Sequence, residues 1–86
     1  MARVEVYTTQ MCPYCVRAKR LLQARGIPYD EIDVGSDDAL RMQIVERTGR
    51  RTVPQIFIDG RSIGGFDELA AMDAAGELAA LIPADA

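Results

Sequence analysis

Hydrophobic and polar positions alternate over residues 3–8, "RVEVYT", where Val4 is followed by Glu5 and Val6 by Tyr7. That period of two predicts a first strand. From Pro13 onward the period lengthens. Ala18, Leu21 and Leu22 form an i, i+3, i+4 stripe, the mark of a helix buried on one face. Pro13 suits the first helical position and Gly26 the stop. In "PYDEIDV", residues 28–34, Tyr29, Ile32 and Val34 alternate with acids and read as a second strand. Leu40, Ile44 and Val45 outline the apolar face of a second helix. Ser36 is its expected N-cap, and Asp37 and Asp38 follow in a first turn that favours negative charge. Arg47 sits near its end and Gly49 at the stop. "PQIFID", residues 54–59, is a strongly apolar β run, and Asp59-Gly60 signals a two-residue hairpin into "RSI". Gly64-Gly65 breaks the chain before "FDELAAMDAA", a third helix with Phe66, Leu69 and Ala70 on its apolar face. Gly76 interrupts it and leaves "ELAALI" as a short terminal helical segment.

The order is β-α-β-α-β-β-α, an α/β fold. The βα units predict that the first two strands lie parallel, joined by a right-handed crossover. The hairpin adds two antiparallel strands and makes the sheet mixed. At 86 residues the chain is expected to be one domain, 1–86, with 49% apolar and 27% charged residues in an ordinary globular balance. Ten basic and thirteen acidic residues give a formal charge of −3, which argues against a nucleic-acid surface. "MARVEVYTT" has no apolar h-region, and no apolar stretch is long enough to span a bilayer. A soluble, cytoplasmic, monomeric protein is expected. Tyr7 and Phe57 read as core or half-core residues.

The chemistry concentrates in "CPYC", residues 12–15, which holds the two cysteines of the chain. Three functions compete for such a pair. A structural staple is disfavoured in a reducing compartment, and so short a loop constrains the unfolded chain little. A structural zinc site needs four ligands, usually Cys or His, and the chain has no histidine. Carboxylate ligands or a metal shared between two copies remain formal alternatives. Redox chemistry fits best. Cys12 falls where a strand meets a helix, and the first-turn N–H groups there favour a thiolate. Cys15 lies on the same helical face one turn deeper, an arrangement suited to an exposed attacking sulfur and a shielded resolving one.

"CPYC", "TVPQIFIDG" (52–60) and "IGGFDEL" (63–69) together resemble the glutaredoxin family, in its small bacterial dithiol type, over residues 3–82. The resemblance implies a thioredoxin-like fold, a four-stranded mixed sheet with three main helices. It implies that Cys12 is the nucleophile, Cys15 the resolving cysteine, and Pro54 a cis-proline. It places glutathione against Tyr14, Thr52, Val53, Pro54, Gly65, Phe66 and Asp67, with Val53 offering its backbone N–H and C=O to the cysteinyl part. Gly64 and Gly65 give close access to the start of the third helix, an anion site for the γ-glutamyl carboxylate, and Asp67 meets the neighbouring ammonium. Arg41 is a candidate partner for the glycyl carboxylate. The implied activity is glutathione-dependent thiol–disulfide exchange on glutathionylated proteins, small mixed disulfides and protein disulfides. Glutathione is the co-substrate, no metal is expected, and glutathione reductase acts upstream through glutathione. A cluster carrier, with iron and sulfur bridged by two subunits and two glutathiones, is the alternative. One position departs from the pattern: Thr9 stands where the family usually has a lysine near the first cysteine. Arg17, Arg41 and Arg51 are the candidates to supply the missing positive charge.

Overall fold

The computed structural model describes residues 3–81. Its elements run β1 (Val4–Thr8), α1 (Pro13–Ala24), β2 (Asp30–Asp33), α2 (Asp38–Thr48), β3 (Gln55–Ile58), β4 (Arg61–Gly64), α3 (Phe66–Ala74) and a closing 3₁₀ turn, Glu77–Leu81. The sheet order is β2-β1-β3-β4. β1 pairs parallel with β2 and antiparallel with β3, and β3 pairs antiparallel with β4 across a bulge at Ile56/Phe57. This is the mixed α/β sheet that the hydrophobic pattern predicts, in the thioredoxin-like arrangement.

β1 divides the interior, because successive strand side chains point to opposite faces. Val4 and Val6 pack with Ile56, Ala18, Leu22 and Leu69 in one buried cluster, between the sheet and the helices α1 and α3. Tyr7 turns the other way and joins Val34, Phe57 and Ile44 of α2. The Tyr7 and Phe57 rings meet edge to face, 5.4 Å apart, and both are buried. With apolar groups on both faces, β1 becomes the inner strand on which the termini of α1 and β3 converge.

Differences from the sequence reading at β2 and at the start of α2 have clear physical causes. β2 is shorter than 28–34, since only Ile32 points inward along Asp30–Asp33 while Tyr29 and Val34 pack from the flanking turns. The α2 N-cap is Asp37, not Ser36: its carboxylate accepts from the Leu40 N–H at 2.9 Å. A charged acceptor at that spacing satisfies a first-turn donor and complements the dipole together. The last residue of the expected terminal segment, Ile82, lies outside the described residues. No helix among the described residues is long and apolar enough to cross a membrane.

Candidate active site

β1 ends at Thr8, and a short loop carries the chain to Cys12, the N-cap of α1. Pro13 occupies the first helical position, where a missing N–H costs nothing. The Cys12 sulfur accepts from the Cys15 N–H at 3.1 Å, so the sulfur does the work that Ser or Asp usually does at a cap. Cys12 and Cys15 are joined as a disulfide, with Cα atoms 5.2 Å apart. Cys12 is partly exposed, whereas Cys15 is only 1% exposed. In the reduced protein the Cys15 N–H would point at a free sulfur, and a hydrogen bond to the charged form favours a thiolate.

The segment 52–54 lies against this sulfur. The Val53 carbonyl oxygen is 3.6 Å from Cys12 Sγ, and the Val53–Pro54 peptide is cis. Gln55, fully buried, donates from Nε2 to the Thr52 carbonyl at 2.8 Å and to its hydroxyl at 3.2 Å. Those bonds fix the turn immediately before the proline.

Beside it opens a cleft of about 250 Å³, lined by Tyr14, Arg50, Thr52, Val53, Pro54, Gly65, Phe66, Asp67 and Glu68. Gly65 stands in a tight place, since a Cβ there would come 3.2 Å from the Pro54 carbonyl oxygen and one of the two would have to give. Gly64 has φ 107, and a Cβ there would fall 2.7 Å from the Glu68 carboxyl carbon. The first-turn N–H groups of Phe66 and Asp67 have no intrahelical partners, and both residues line the cleft. Gly65 is different, because its N–H already donates to Glu68 at 3.0 Å. Arg50 closes the arrangement with a 2.7 Å bond to the other Glu68 oxygen. That bond, with the backbone donors of this turn, holds the Glu68 carboxyl below its ordinary pKa of 4.5. On the opposite wall Tyr14 stands 53% exposed, with its ring 6.3 Å from that of Phe66 and the Arg17 guanidinium 5.2 Å from its centre.

Seven of the residues read from the sequence as glutathione contacts thus share one cleft: Tyr14, Thr52, Val53, Pro54, Gly65, Phe66 and Asp67. Arg41 lies elsewhere, in a hollow of about 390 Å³ with Thr9, Gln10, Asp33, Gly35 and Ser36. That hollow is the larger of the two, but the cleft is the one whose wall touches the sulfur. Arg51 shares a separate depression with Arg41, Met42 and Val45. The sequence reading missed Arg50, Glu68 and Gln55. Glu68 carried a signal, an acid three residues after a helix cap, hidden because the cap is glycine rather than Ser or Thr.

A disulfide that caps a helix, with one sulfur accessible and the other shielded, can be opened by an incoming thiolate and closed again by its neighbour. The class is therefore that of the thiol–disulfide oxidoreductases with a thioredoxin-like fold. The glutaredoxin family model matches residues 4–63. The chain belongs to the glutaredoxin family, whose members use glutathione as reductant. Glutaredoxin 3 of Escherichia coli is 50% identical over 82 residues, covering 95% of this chain and 99% of that protein. The solution structure of the Brucella melitensis glutaredoxin has a TM-score of 0.84 at 45% identity, covering 95% of this chain and 89% of that one. A buckwheat glutaredoxin, solved as a complex with glutathione, has a TM-score of 0.85 at 33% identity, covering 92% of this chain and 74% of that one.

Proposed function

We propose that this oxidoreductase is glutathione-dependent and acts on glutathionylated proteins, small mixed disulfides and protein disulfides, with glutathione held in the Tyr14–Asp67 cleft. The observation that carries the reading is charge placement along that cleft. Donors of Phe66 and Asp67 at the α3 start lie beside the Asp67 carboxylate, and the Val53 backbone at the other end reaches Cys12. An α-amino acid head group presents a carboxylate and an ammonium on one carbon, matching the donors and the acid. The buckwheat complex supports the same ligand class for this chain. Arg41 is retained as a partner for the glycyl carboxylate of a tripeptide that extends past Cys12 toward the Thr9 hollow.

In the monothiol cycle the Cys12 thiolate attacks the glutathione sulfur of a mixed disulfide. The old S–S bond breaks, the protein leaves as a thiolate that takes up a proton, and Cys12 keeps the glutathionyl group. A second glutathione thiolate attacks that glutathionyl sulfur, giving glutathione disulfide and the free Cys12 thiolate. In the dithiol cycle Cys12 attacks a protein disulfide, then Cys15 attacks Cys12 Sγ and releases the reduced protein. The Cys12–Cys15 disulfide that results is the state seen here, and two glutathiones reduce it again. Reduction of the cysteine–glutathione mixed disulfide, with consumption of glutathione followed, tests the assignment. Cys12→Ser is expected to abolish all turnover. Cys15→Ser is expected to keep deglutathionylation and lose reduction of protein disulfides. Appreciable activity in Cys12→Ser would overturn the assignment of the nucleophile.

A further inference from the structure

We propose that Met11 is a specificity-determining residue, reading the amino acids that flank the reacting half-cystine in a polypeptide substrate and favouring apolar ones. Four large hydrophobic side chains stand exposed among the described residues, and three of them, Met11, Tyr14 and Val16, lie within six residues around Cys12. Tyr14, 53% exposed, belongs to the cleft, and Val16, 40% exposed, has its N–H on the Cys12 carbonyl at 3.1 Å. Met11 is 99% exposed and packs against nothing. Its φ of 56 lies in the left-handed region, which Gly or Asn adopts more readily than an unbranched apolar residue. Neither the core nor the backbone turn therefore requires methionine at this position.

Scattered exposed hydrophobes are ordinary, so position carries the argument. Consecutive Cα atoms are about 3.8 Å apart. Met11 is the direct chain neighbour of Cys12, so a polypeptide disulfide attacked at that sulfur has its own flanking residues in the same neighbourhood. Met11 lines neither the cleft nor the Thr9 hollow, so a glutathionyl group in the cleft leaves it free for the departing polypeptide. The thioether is flexible and polarizable, and adapts to apolar partners of varied shape. The inference rests on the glutathione-dependent reading above and adds a preference among its protein substrates.

The test compares kcat/KM of wild type, Met11→Asn and Met11→Leu on three glutathionylated substrates. These are free cysteine, a peptide with Leu and Phe flanking the cysteine, and the same peptide with Ser at both flanks. Asn keeps the left-handed turn and removes the apolar surface, and unchanged thermal melts check the fold. Wild type is expected to prefer the apolar-flanked peptide by about fivefold, the effect of partly burying one side chain. Met11→Asn brings that ratio close to one, Met11→Leu keeps it, and all three proteins turn over glutathionylated cysteine equally. An unchanged peptide ratio in Met11→Asn, or an equal loss on every substrate, overturns the proposal. A wild type inactive on glutathionylated cysteine overturns the glutathione-dependent reading itself, and this inference with it.

Discussion

Thr9 shows what a single side chain contributes to the electrostatics near Cys12. It shares its hollow with Arg41 and Asp33, and a lysine at this position would meet both charges as well as the sulfur's field. A nearby positive charge favours the ionised thiol, so Thr9→Lys is expected to lower the Cys12 pKa. The shift should be below about one unit, because the pair is partly solvated and Asp33 draws off part of the field. Turnover should rise by less, since nucleophilicity falls with pKa. Titration by thiolate absorbance in both variants measures it, and an unmoved pKa would mean that Arg41 or Asp33 already sets the local potential. A second residue-scale expectation concerns Asp67, exposed at the cleft rim. Asp67→Ala should weaken use of glutathionylated substrate about 10- to 100-fold, the worth of one charge-assisted contact, with an unchanged melting temperature. Equal kinetics with an intact fold would reduce Asp67 to a helix-dipole residue. The cysteine pair stands out in the sequence by its spacing, and the expectation for the residues now found about the cleft came from the resemblance to the glutaredoxin motifs. Arg50 with Glu68 was not legible, since an ion pair 18 residues apart leaves no periodic trace. Gln55 read as one more strand position, although its amide is what ties down Thr52.

Two polar ties anchor the two ends of α3 to its neighbours. Arg25, the C-cap of α1, donates through Nε and Nη2 to the two carboxylate oxygens of Asp73 at 2.8 and 2.9 Å. At the other end of α3, Glu68 bridges Arg50 and the Gly65 N–H. Hydrogen bonding from the arginines lowers the pKa of both acids, Asp73 from its ordinary 3.8 and Glu68 from 4.5. A depressed carboxyl stabilises the fold fully above its unfolded pKa and loses that contribution as pH falls through the folded value. The difference in melting temperature between wild type and Glu68→Gln should therefore be constant at neutral pH and shrink below about pH 4.5. Because the ion pair is half exposed, the neutral-pH difference should be small, on the order of 0.5 kcal/mol. A difference that grew on acidification would contradict the sign argued here. Glu68→Ala, which also frees the Gly65 donor, should cost about 1 kcal/mol as a lost cap does. It should raise KM for glutathionylated substrate, because the α3 start is then free to shift against Pro54. At this scale helices were more legible than strands. Ala18, Leu21 and Leu22 mark α1 unmistakably, whereas β2 has a single inward residue, Ile32, and its ends are set by neighbours. The α2 start was misplaced by one residue because Ser36 and Asp37 are both good caps, and only geometry chooses between them.

Across the whole molecule, the sheet order follows from where apolar surface must go. β1 is apolar on both faces and must lie inside, whereas β2 reads Asp-Glu-Ile-Asp and can only lie at an edge. The parallel pairing of the first two strands and the antiparallel hairpin were legible from pattern; the strand order and the position of the cleft were not, since both depend on bringing distant parts of the chain together. The placement of β2 has a colloidal consequence. An edge strand displays unpaired backbone groups that can template the sheet of another molecule, and like charges along it keep copies apart. Asp30, Glu31 and Asp33 are all exposed on this edge, and only Glu31 with Lys19 and Asp30 with Arg3 are partly neutralised. Asp30→Val should therefore raise the light scattering of concentrated protein at neutral pH without altering turnover, and unchanged scattering would place the sticky surface elsewhere. The role expected for the acids along the second strand is colloidal, to keep copies of a redox catalyst apart, a task separate from anything its sulfurs do.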